Sequence, residues 1–487
     1  MVDLTHFRGY KMEGNIGVIG MAVMGSNLAL NIESKGYTVS VYNRTAKRTE
    51  EFVRNRAQGK KIIPTYTLSD FVESLEKPRK IILMVKAGEP TDKMIDALIP
   101  LLSEGDIIID GGNAHFKDTE RRIEKVHKYG LKYLGMGISG GESGALHGPS
   151  MMAGGDKEAY DEVKEILEKI AAKTEDGPCV AYLGRGSAGH FVKMTHNGIE
   201  YAIMQAISEI YDILKEGLSM KIPEIQKIFK EWNKGKLNSY LIEITGNLLG
   251  VKDRDTGHYM VEIILDKAKS KGTGKWTTQA ALDLGVPTPS IGEAVFARIL
   301  SAYKDERVKI SRLINTEKTN LSTVDGTEFM DILEDGLYTS ILIIYAQGLH
   351  LLYVASKEYE YGLDLSEVCR IWKGGCIIRA KLLNDLKEIY LENKGLSHLF
   401  LSEKFVNLLK DGIPSLREIV LRAKEVEIPL PVISSTLDYL DGMKRERLPA
   451  NIIQAQRDYF GAHTFERRDR EGVFHVEWEK EAEDSDS

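Results

Sequence analysis

The sequence predicts an N-terminal α/β domain built on a mostly parallel sheet, followed by a large all-helical domain and a C-terminal tail. Three observations carry that expectation. Residues 15–186 alternate short β-branched runs with helical periodicity, the mark of βαβ units. Over residues 187–447 strand signals nearly vanish and the 3.6-residue period dominates. After Arg447-Leu448-Pro449 comes a tail, residues 448–487, rich in charge and aromatics, whose acidic end 481–487 lacks the apolar residues to pack. Residues 1–14 read as an N-terminal extension preceding the first strand.

In order, strands are expected at 15–19, 38–42, 80–85, 106–109, 132–134, 151–153 and 179–183, with helices at 26–34, 92–102, 118–129 and 157–172 between them. One long helix is expected over 187–218, and the apolar helix around 338–353 could mirror it as an old duplication. The chain has 487 residues, 65 Lys and Arg against 72 Asp and Glu, and a formal net charge of −7, which argues against a general nucleic-acid binder. Three cysteines without CxxC spacing imply neither a disulfide framework nor a metal site. No run approaches the roughly 18 apolar residues of a membrane span, and the N-terminus lacks the apolar stretch of a secretory signal. A cytoplasmic protein with no membrane or nucleic-acid partner is expected.

The turn after the first strand reads Gly20-Met21-Ala22-Val23-Met24-Gly25. Small residues there let backbone approach a pyrophosphate resting on the N–H groups at the helix start, which makes the α/β domain Rossmann-like. Ala22 stands where the second glycine of that fingerprint is usual. The second strand ends not in the carboxylate that an NAD ribose requires but in Asn43-Arg44-Thr45. A carboxylate would repel a 2′-phosphate, whereas Arg44 can grip it bidentately, so the expected cofactor is NADP.

At about 100° per residue, Lys193, His196, Asn197 and Glu200 share about a third of the long helix's circumference, with Tyr201 at the edge. Such a face needs water or a polar ligand, because burying unpartnered polar groups costs several kcal/mol. A solvated face with a Lys–Glu pair two turns apart is the other reading. Gly198 weakens the helix by about 1 kcal/mol relative to Ala, which suits a site where something bulky approaches the backbone.

Together these segments resemble the 6-phosphogluconate dehydrogenases, decarboxylating NADP-linked enzymes of the pentose phosphate pathway. The resemblance runs from about residue 15 to 466. It rests on the motifs above together with Val85-Lys86-Ala87-Gly88, Asp110-Gly111-Gly112-Asn113, Ser139-Gly140-Gly141-Glu142, Lys271-Gly272-Thr273-Gly274-Lys275-Trp276 and the run 454–463. It implies Lys193 as the general base and Glu200 as the general acid. It adds Val85, Lys86, Ala87 and Asn113 to the cofactor contacts. For the substrate, 6-phosphogluconate, it implies Asn113, Ser139, Gly140, Gly141, His196 and Asn197 at the hydroxyls and carboxylate. A phosphate site follows from Tyr201, Lys271, Thr273, Arg298 and Arg457. It further implies a homodimer with shared active sites, the tail carrying Arg457 and His463 to the partner's substrate.

The chain departs from the family pattern at Ser143 and Leu146, where Glu and Arg are usual, at Ala114-His115, where Ser-Glu is usual, and at Ala153 in place of a common proline. These departures put substrate affinity and pH dependence in question without removing an assigned residue. Two other readings stand beside this one: a β-hydroxyacid dehydrogenase acting on a related hydroxy acid, and a non-catalytic NADPH-binding scaffold.

Overall fold

A computed structural model describes residues 13–314, 321 and 326–479. The acidic end 481–487, and all of the N-terminal extension except residues 13 and 14, lie outside them. The chain folds as two compact units, one ending at Thr436 and the other beginning at Leu437.

The first part of the larger unit runs β1 (Ile16–Ile19), α1 (Val23–Ser34), β2 (Val39–Tyr42), α2 (Ala46–Arg56), β3 (Ile62–Thr65), α3 (Leu68–Glu73), β4 (Lys80–Leu83), α4 (Glu89–Leu98), β5 (Ile107–Asp110), α5 (Phe116–His127), β6 (Lys132–Ile138), α6 (Gly141–His147), β7 (Met151–Gly155) and α7 (Lys157–Ile170). A two-residue hairpin, β8 (Lys173–Thr174) and β9 (Gly177–Pro178), then leads to β10 (Val180–Gly184). Eight strands form one sheet in the order β10-β7-β6-β5-β4-β1-β2-β3. Pairing is parallel except between β6 and β7. The central strands β1, β4 and β5 are buried along their whole length, as their unbroken apolar runs require of strands covered on both faces. One core, including Leu28, Ile32, Val163 and Leu167, lies under α1 and α7; the other, including Phe71, Ile95, Leu98 and Val126, lies under α3, α4 and α5. Each such side chain contributes about 1.5–3 kcal/mol relative to exposure.

Six elements of this part, α2, β3, α3, α6, β8 and β9, have no counterpart among the expected ones. β3 is a partly exposed edge strand holding Pro64, which cannot donate to the ladder and breaks the apolar run that marks the inner strands. β6 extends beyond the expected 132–134 to Ile138, because Gly135 and Gly137 lower the strand signal without preventing pairing.

The helical part contains α8 (Ala188–Asp212), α9 (Ile222–Trp232), α10 (Tyr240–Leu248), α11 (Met260–Ile263), α12 (Thr273–Asp283), α13 (Pro289–Ala302), α14 (Lys304–Leu313), α15 (Gly326–Glu358), α16 (Leu365–Trp372), α17 (Leu383–Glu392), α18 (Glu403–Lys410), α19 (Ile413–Glu425) and α20 (Pro431–Met443). The long helix expected over 187–218 is regular only to Asp212 and closes in a wider turn, Ile213–Gly217. α8 lies against the sheet along a seam of bare backbone. A Cβ on Gly189 would collide with the carbonyls of Gly135 and Met152, and one on Gly154 would strike the backbone nitrogen of Gly189.

α15 packs on α8, with Gly348 beneath Ile199. By length and composition α15 could cross a membrane, since residues 328–358 hold a window of mean hydropathy 1.4; yet 78% of that window is buried inside the fold, as in a core helix. At the far end of α8, the buried carboxylate of Glu209 accepts from Val432 N–H and Ile433 N–H, both at 2.9 Å, and so caps α20.

In the smaller unit, α21 (Ala450–Gly461) precedes a hairpin of β11 (Phe465–Glu466) and β12 (Val473–Phe474). Asp458, fully buried, organises it. Its carboxylate accepts from Thr464 N–H (2.8 Å), His475 Nδ1 (2.9 Å), Val476 N–H (3.2 Å) and Trp478 Nε1 (2.8 Å). Despite the burial, these donors hold it down at about 2.

Candidate active site

The sheet order changes direction beside β1, so the loops leaving the carboxyl ends of β1, β4 and β5 gather there. Gly20 follows β1 at φ +105, and a Cβ there would collide with the Met84 carbonyl after β4. Only glycine lets the two loops touch in this way. α1 then starts at Val23 with no side-chain cap and no acid in its first turn, leaving its N–H groups and positive dipole end for an anion. Asn43, half-buried, stitches the loops: its Oδ1 accepts from Met21 N–H (3.0 Å) and its Nδ2 donates to the Thr45 carbonyl (3.1 Å). Arg44 and Thr45 are exposed beside it. A shallow cleft lined by Met21, Ala22, Val23, Ser26 and Phe52 adds two cations, Arg48 and Arg56, and one acid, Glu51, that the sequence reading missed. Arg48 lies in the first turn of α2, which starts just after Arg44 and Thr45. The capless helix start, the bare Gly20 and the cations at the end of β2 fit a dinucleotide carrying a 2′-phosphate.

The loops after β4 and β5 share an anchor. Arg122, fully buried, donates to Asp92 Oδ1 (2.8 Å), Asp110 Oδ2 (3.2 Å) and the Gly88 carbonyl (3.0 Å). Asp110 also accepts from Gly112 N–H (3.1 Å) and Tyr133 O–H (3.0 Å). Lys86 and Asn113 stand exposed above this network, while Val85 and Ala87 are half-buried.

On α8, Lys193 is 6% exposed, Asn197 8%, and His196 fully buried, so the polar face is not a solvated surface. Its groups are instead paired. Asn197 Oδ1 lies 3.0 Å from His196 Nδ1, which assigns the proton to Nδ1 and leaves Nε2 to accept from Ser139 Oγ–H at 3.3 Å. Burial, then the neighbouring Lys193, holds the ring well below the ordinary histidine range, so it is neutral. Lys193 Nζ sits 3.5 Å from the same Nδ1, a donor facing it, which suits a neutral amine. Burial lowers the Lys193 pKa, opposed by Glu200 and Cys376. Gly137 makes the space for this lysine, since a Cβ there would lie 2.6 Å from its Cγ. Burial raises the Glu200 pKa, opposed by Lys193, Arg298 and Lys271.

Those last two cations mark the far end of the site. The Arg298 guanidinium lies 3.5 Å above the ring of Tyr201. Lys271 is exposed just before Gly272 (φ +94), which caps α12, whose first residue Thr273 is buried and whose first turn carries no acid. Ser139 closes the other end, and Gly140 (φ +104) starts the turn into α6. Gly141 is exposed at its tip. Lys193, His196, Asn197, Glu200, Tyr201, Ser139, Lys271, Thr273 and Arg298 therefore converge on α8 and its neighbours. Arg457 and His463 belong to the smaller unit, where Arg457 bonds to Gln454 Oε1 (3.3 Å) and His463 packs against Phe460.

The approach that Gly198 permits is that of a helix, not of a ligand: a Cβ there would lie 2.7 Å from Thr277 of α12, whose hydroxyl donates to the Met194 carbonyl (2.8 Å). Of the atypical residues, Ser143 is exposed and the others are absorbed by packing. Leu146 packs on the sheet core, Ala153 is buried within β7, and His115 caps α5 while its ring meets Trp276 edge-on at 5.1 Å.

A switch-point cradle for a dinucleotide beside a buried lysine and a half-buried carboxyl defines a nicotinamide-nucleotide-dependent dehydrogenase. Residues 15–184 match the family described as the NAD binding domain of 6-phosphogluconate dehydrogenase, and residues 189–478 match the 6-phosphogluconate dehydrogenase C-terminal domain. The chain belongs to the 6-phosphogluconate dehydrogenase family. It is 52% identical over 465 residues to the NADP(+)-dependent, decarboxylating 6-phosphogluconate dehydrogenase of Bacillus subtilis, covering 96% of this chain and 99% of the relative. It is likewise 52% identical over 464 residues to the decarboxylating enzyme of Escherichia coli, covering 95% and 98%. Among solved structures it is similar to Plasmodium falciparum 6-phosphogluconate dehydrogenase, studied alone and with its cofactor NADP+ or its substrate 6-phosphogluconate. That match has a TM-score of 0.93 and 47% identity over 95% of this chain and all of the other.

Proposed function

We propose that the protein oxidises and decarboxylates 6-phosphogluconate to ribulose 5-phosphate and CO2, reducing NADP to NADPH. The observation that carries this reading is one helix face that holds the buried Lys193 and the half-buried Glu200, each pushed by desolvation towards its neutral form. A neutral lysine can take a proton and a neutral carboxyl can give one, which the two ends of this reaction need. The bound cofactor supplies a hydride acceptor for the C3 hydrogen. Lys193 takes the C3 hydroxyl proton as that hydrogen leaves, forming a ketone. When the bond to the C1 carboxylate breaks, its electron pair moves towards the ketone and Lys193 returns the proton to the oxygen, releasing CO2 and an enol. Glu200 protonates the carbon that bore the carboxylate. The two groups are two helical turns apart, about 10 Å, which brackets a six-carbon chain.

Residues 20–25, Arg44, Thr45, Lys86 and Asn113 would hold the nucleotide, with Asn43 fixing the loop beneath it. Ser139, Gly140, Gly141, Asn113, Asn197 and His196 would surround the carboxylate and hydroxyls, and Tyr201, Lys271, Thr273 and Arg298 the phosphate. In this reading residues 15–186 bind nucleotide, 187–447 bind substrate and dimerise, and 448–487 carry Arg457 and His463 to a partner. The homodimer is supported by large apolar side chains left exposed, among them Ile264, Leu265, Phe296, Leu300 and Leu313. A cytoplasmic setting suits three buried free thiols. The test is NADPH formation, followed by absorbance, with 6-phosphogluconate and parallel CO2 release. NADPH without CO2 would point instead to a simple hydroxyacid dehydrogenase.

A further inference from the structure

His190 stands one turn before Lys193 on α8 and reaches no part of the pocket, being 1% exposed. Both ring nitrogens are nevertheless engaged. Nε2 lies 3.1 Å from the carbonyl of Asp110 at the end of β5, and Nδ1 lies 2.7 Å from Thr119 Oγ1 on α5. A carbonyl only accepts, so Nε2 carries a proton, and in the neutral ring that burial favours Nδ1 accepts from the Thr119 hydroxyl, which also lies 3.3 Å from the His115 carbonyl. The ring is thus a single neutral tautomer read by two elements of the nucleotide domain. Burial, the largest influence, also disfavours its charged form. β6 provides bare backbone opposite: a Cβ on Gly135 would come within 2.8 Å of His190 Nδ1 and 2.9 Å of Thr119 Cγ2. Space, tautomer and partners all serve one contact.

That contact joins the two halves of the chemistry. Three residues beyond Asp110 is Asn113, at the tip of the loop; three residues beyond His190 is Lys193. We infer that His190 is a positioning residue, setting the register between the helix that carries the base and the β5 loop that carries Asn113. The inference rests on the reading of Lys193 as base. His190 touches neither substrate nor cofactor; it acts by keeping the hydride donor carbon and the base in line while each binding surface stays intact.

The test compares His190→Leu, His190→Gln and Thr119→Val with the unaltered enzyme, using 6-phosphogluconate carrying hydrogen or deuterium at C3. NADPH titration of protein fluorescence without substrate counts folded sites. The expected result for His190→Leu is a full complement of NADPH sites with affinity within about twofold. Its kcat per site should fall about tenfold to hundredfold, the scale of a 1 Å misplacement, with a larger deuterium effect because hydride transfer limits the rate. His190→Gln, whose side-chain N–H can reach the Asp110 carbonyl, should recover most of the rate. Thr119→Val should give a smaller change in the same direction. A lower site count with unchanged kcat per site and unchanged deuterium effect would mean that His190 only stabilises the fold, and would overturn the inference. Should His190→Leu fail to fold, the deuterium effects of the other two variants decide: no increase in Thr119→Val overturns it. Failure of the underlying reading is separate, because full activity of Lys193→Ala would remove the base and leave these comparisons unaffected.

Discussion

Burial moves Lys193 down and Glu200 up from their ordinary ranges, each in the direction of the uncharged form that proton transfer needs. The acid limb of the activity profile, where Lys193 takes up its proton, should therefore lie below an ordinary lysine's range, as a pH profile of kcat/KM would record. Lys193→Ala should abolish NADPH formation, since His196, the nearest other base, is fully enclosed and held neutral. Glu200→Gln should leave oxidation in place but slow product formation by about 10²–10⁴-fold, as loss of a general acid does. Rapid-quench measurement of the keto acid and ribulose 5-phosphate separates the two steps. At the nucleotide end, Arg44→Asp should weaken NADP about tenfold to hundredfold while affecting NAD far less, as expected for a lost charge-assisted contact. Equal loss of both nucleotides in binding titrations would remove Arg44 from the 2′-phosphate.

Among the elements, α8 was legible because it alternates apolar and polar positions with the helical period, and its shared face could be read from spacing. What spacing could not give was the partner of each face. Gly198 suggested a ligand, whereas α12 occupies that side through Thr277. Asn43, expected as a cofactor contact, also fastens the loop that carries Met21, a bond that spacing does not reveal. His190 and Arg122, and the anchoring role of Asp110, escaped notice because their bonds link segments apart in sequence. The strand β3 hid behind Pro64 and its edge position.

Glu209 makes a prediction at this scale. Burial pushes it up to about 7 where it caps α20, against an ordinary value of 4.5. The folded protein then holds a proton that the unfolded chain has released between those values. Stability from this group is present below about 4.5 and declines as pH rises towards 7, by about 3 kcal/mol at most. Melting of Glu209→Gln across that window should show a flatter pH dependence than the unaltered protein; identical slopes would assign the dependence elsewhere.

For the whole molecule, the proposal of a site shared between copies turns on the tail. Its unit is internally organised around Asp458, while Ile452, Ile453, Tyr459 and Phe460 of α21 remain exposed. Mixing Lys193→Ala protein with Arg457→Ala protein, then denaturing and refolding them together, should restore activity in heterodimers, each with one pocket holding Lys193 from one chain and Arg457 from the other. Heterodimers that form and stay inactive would confine the tail to its own chain.

The glycine seam between α8 and the sheet has a consequence for how such an enzyme can change over generations. Where two layers meet through side chains, every exchange of one core residue for another resets the spacing by fractions of an ångström. Here the spacing is gauged by main chain resting on main chain at Gly135, Gly154 and Gly189. The surrounding apolar core can drift in sequence while the distance from nucleotide loops to Lys193 stays fixed. Tolerance to mutation in the bulk of the domain is thus obtained by concentrating intolerance at a few positions that have no side chain at all.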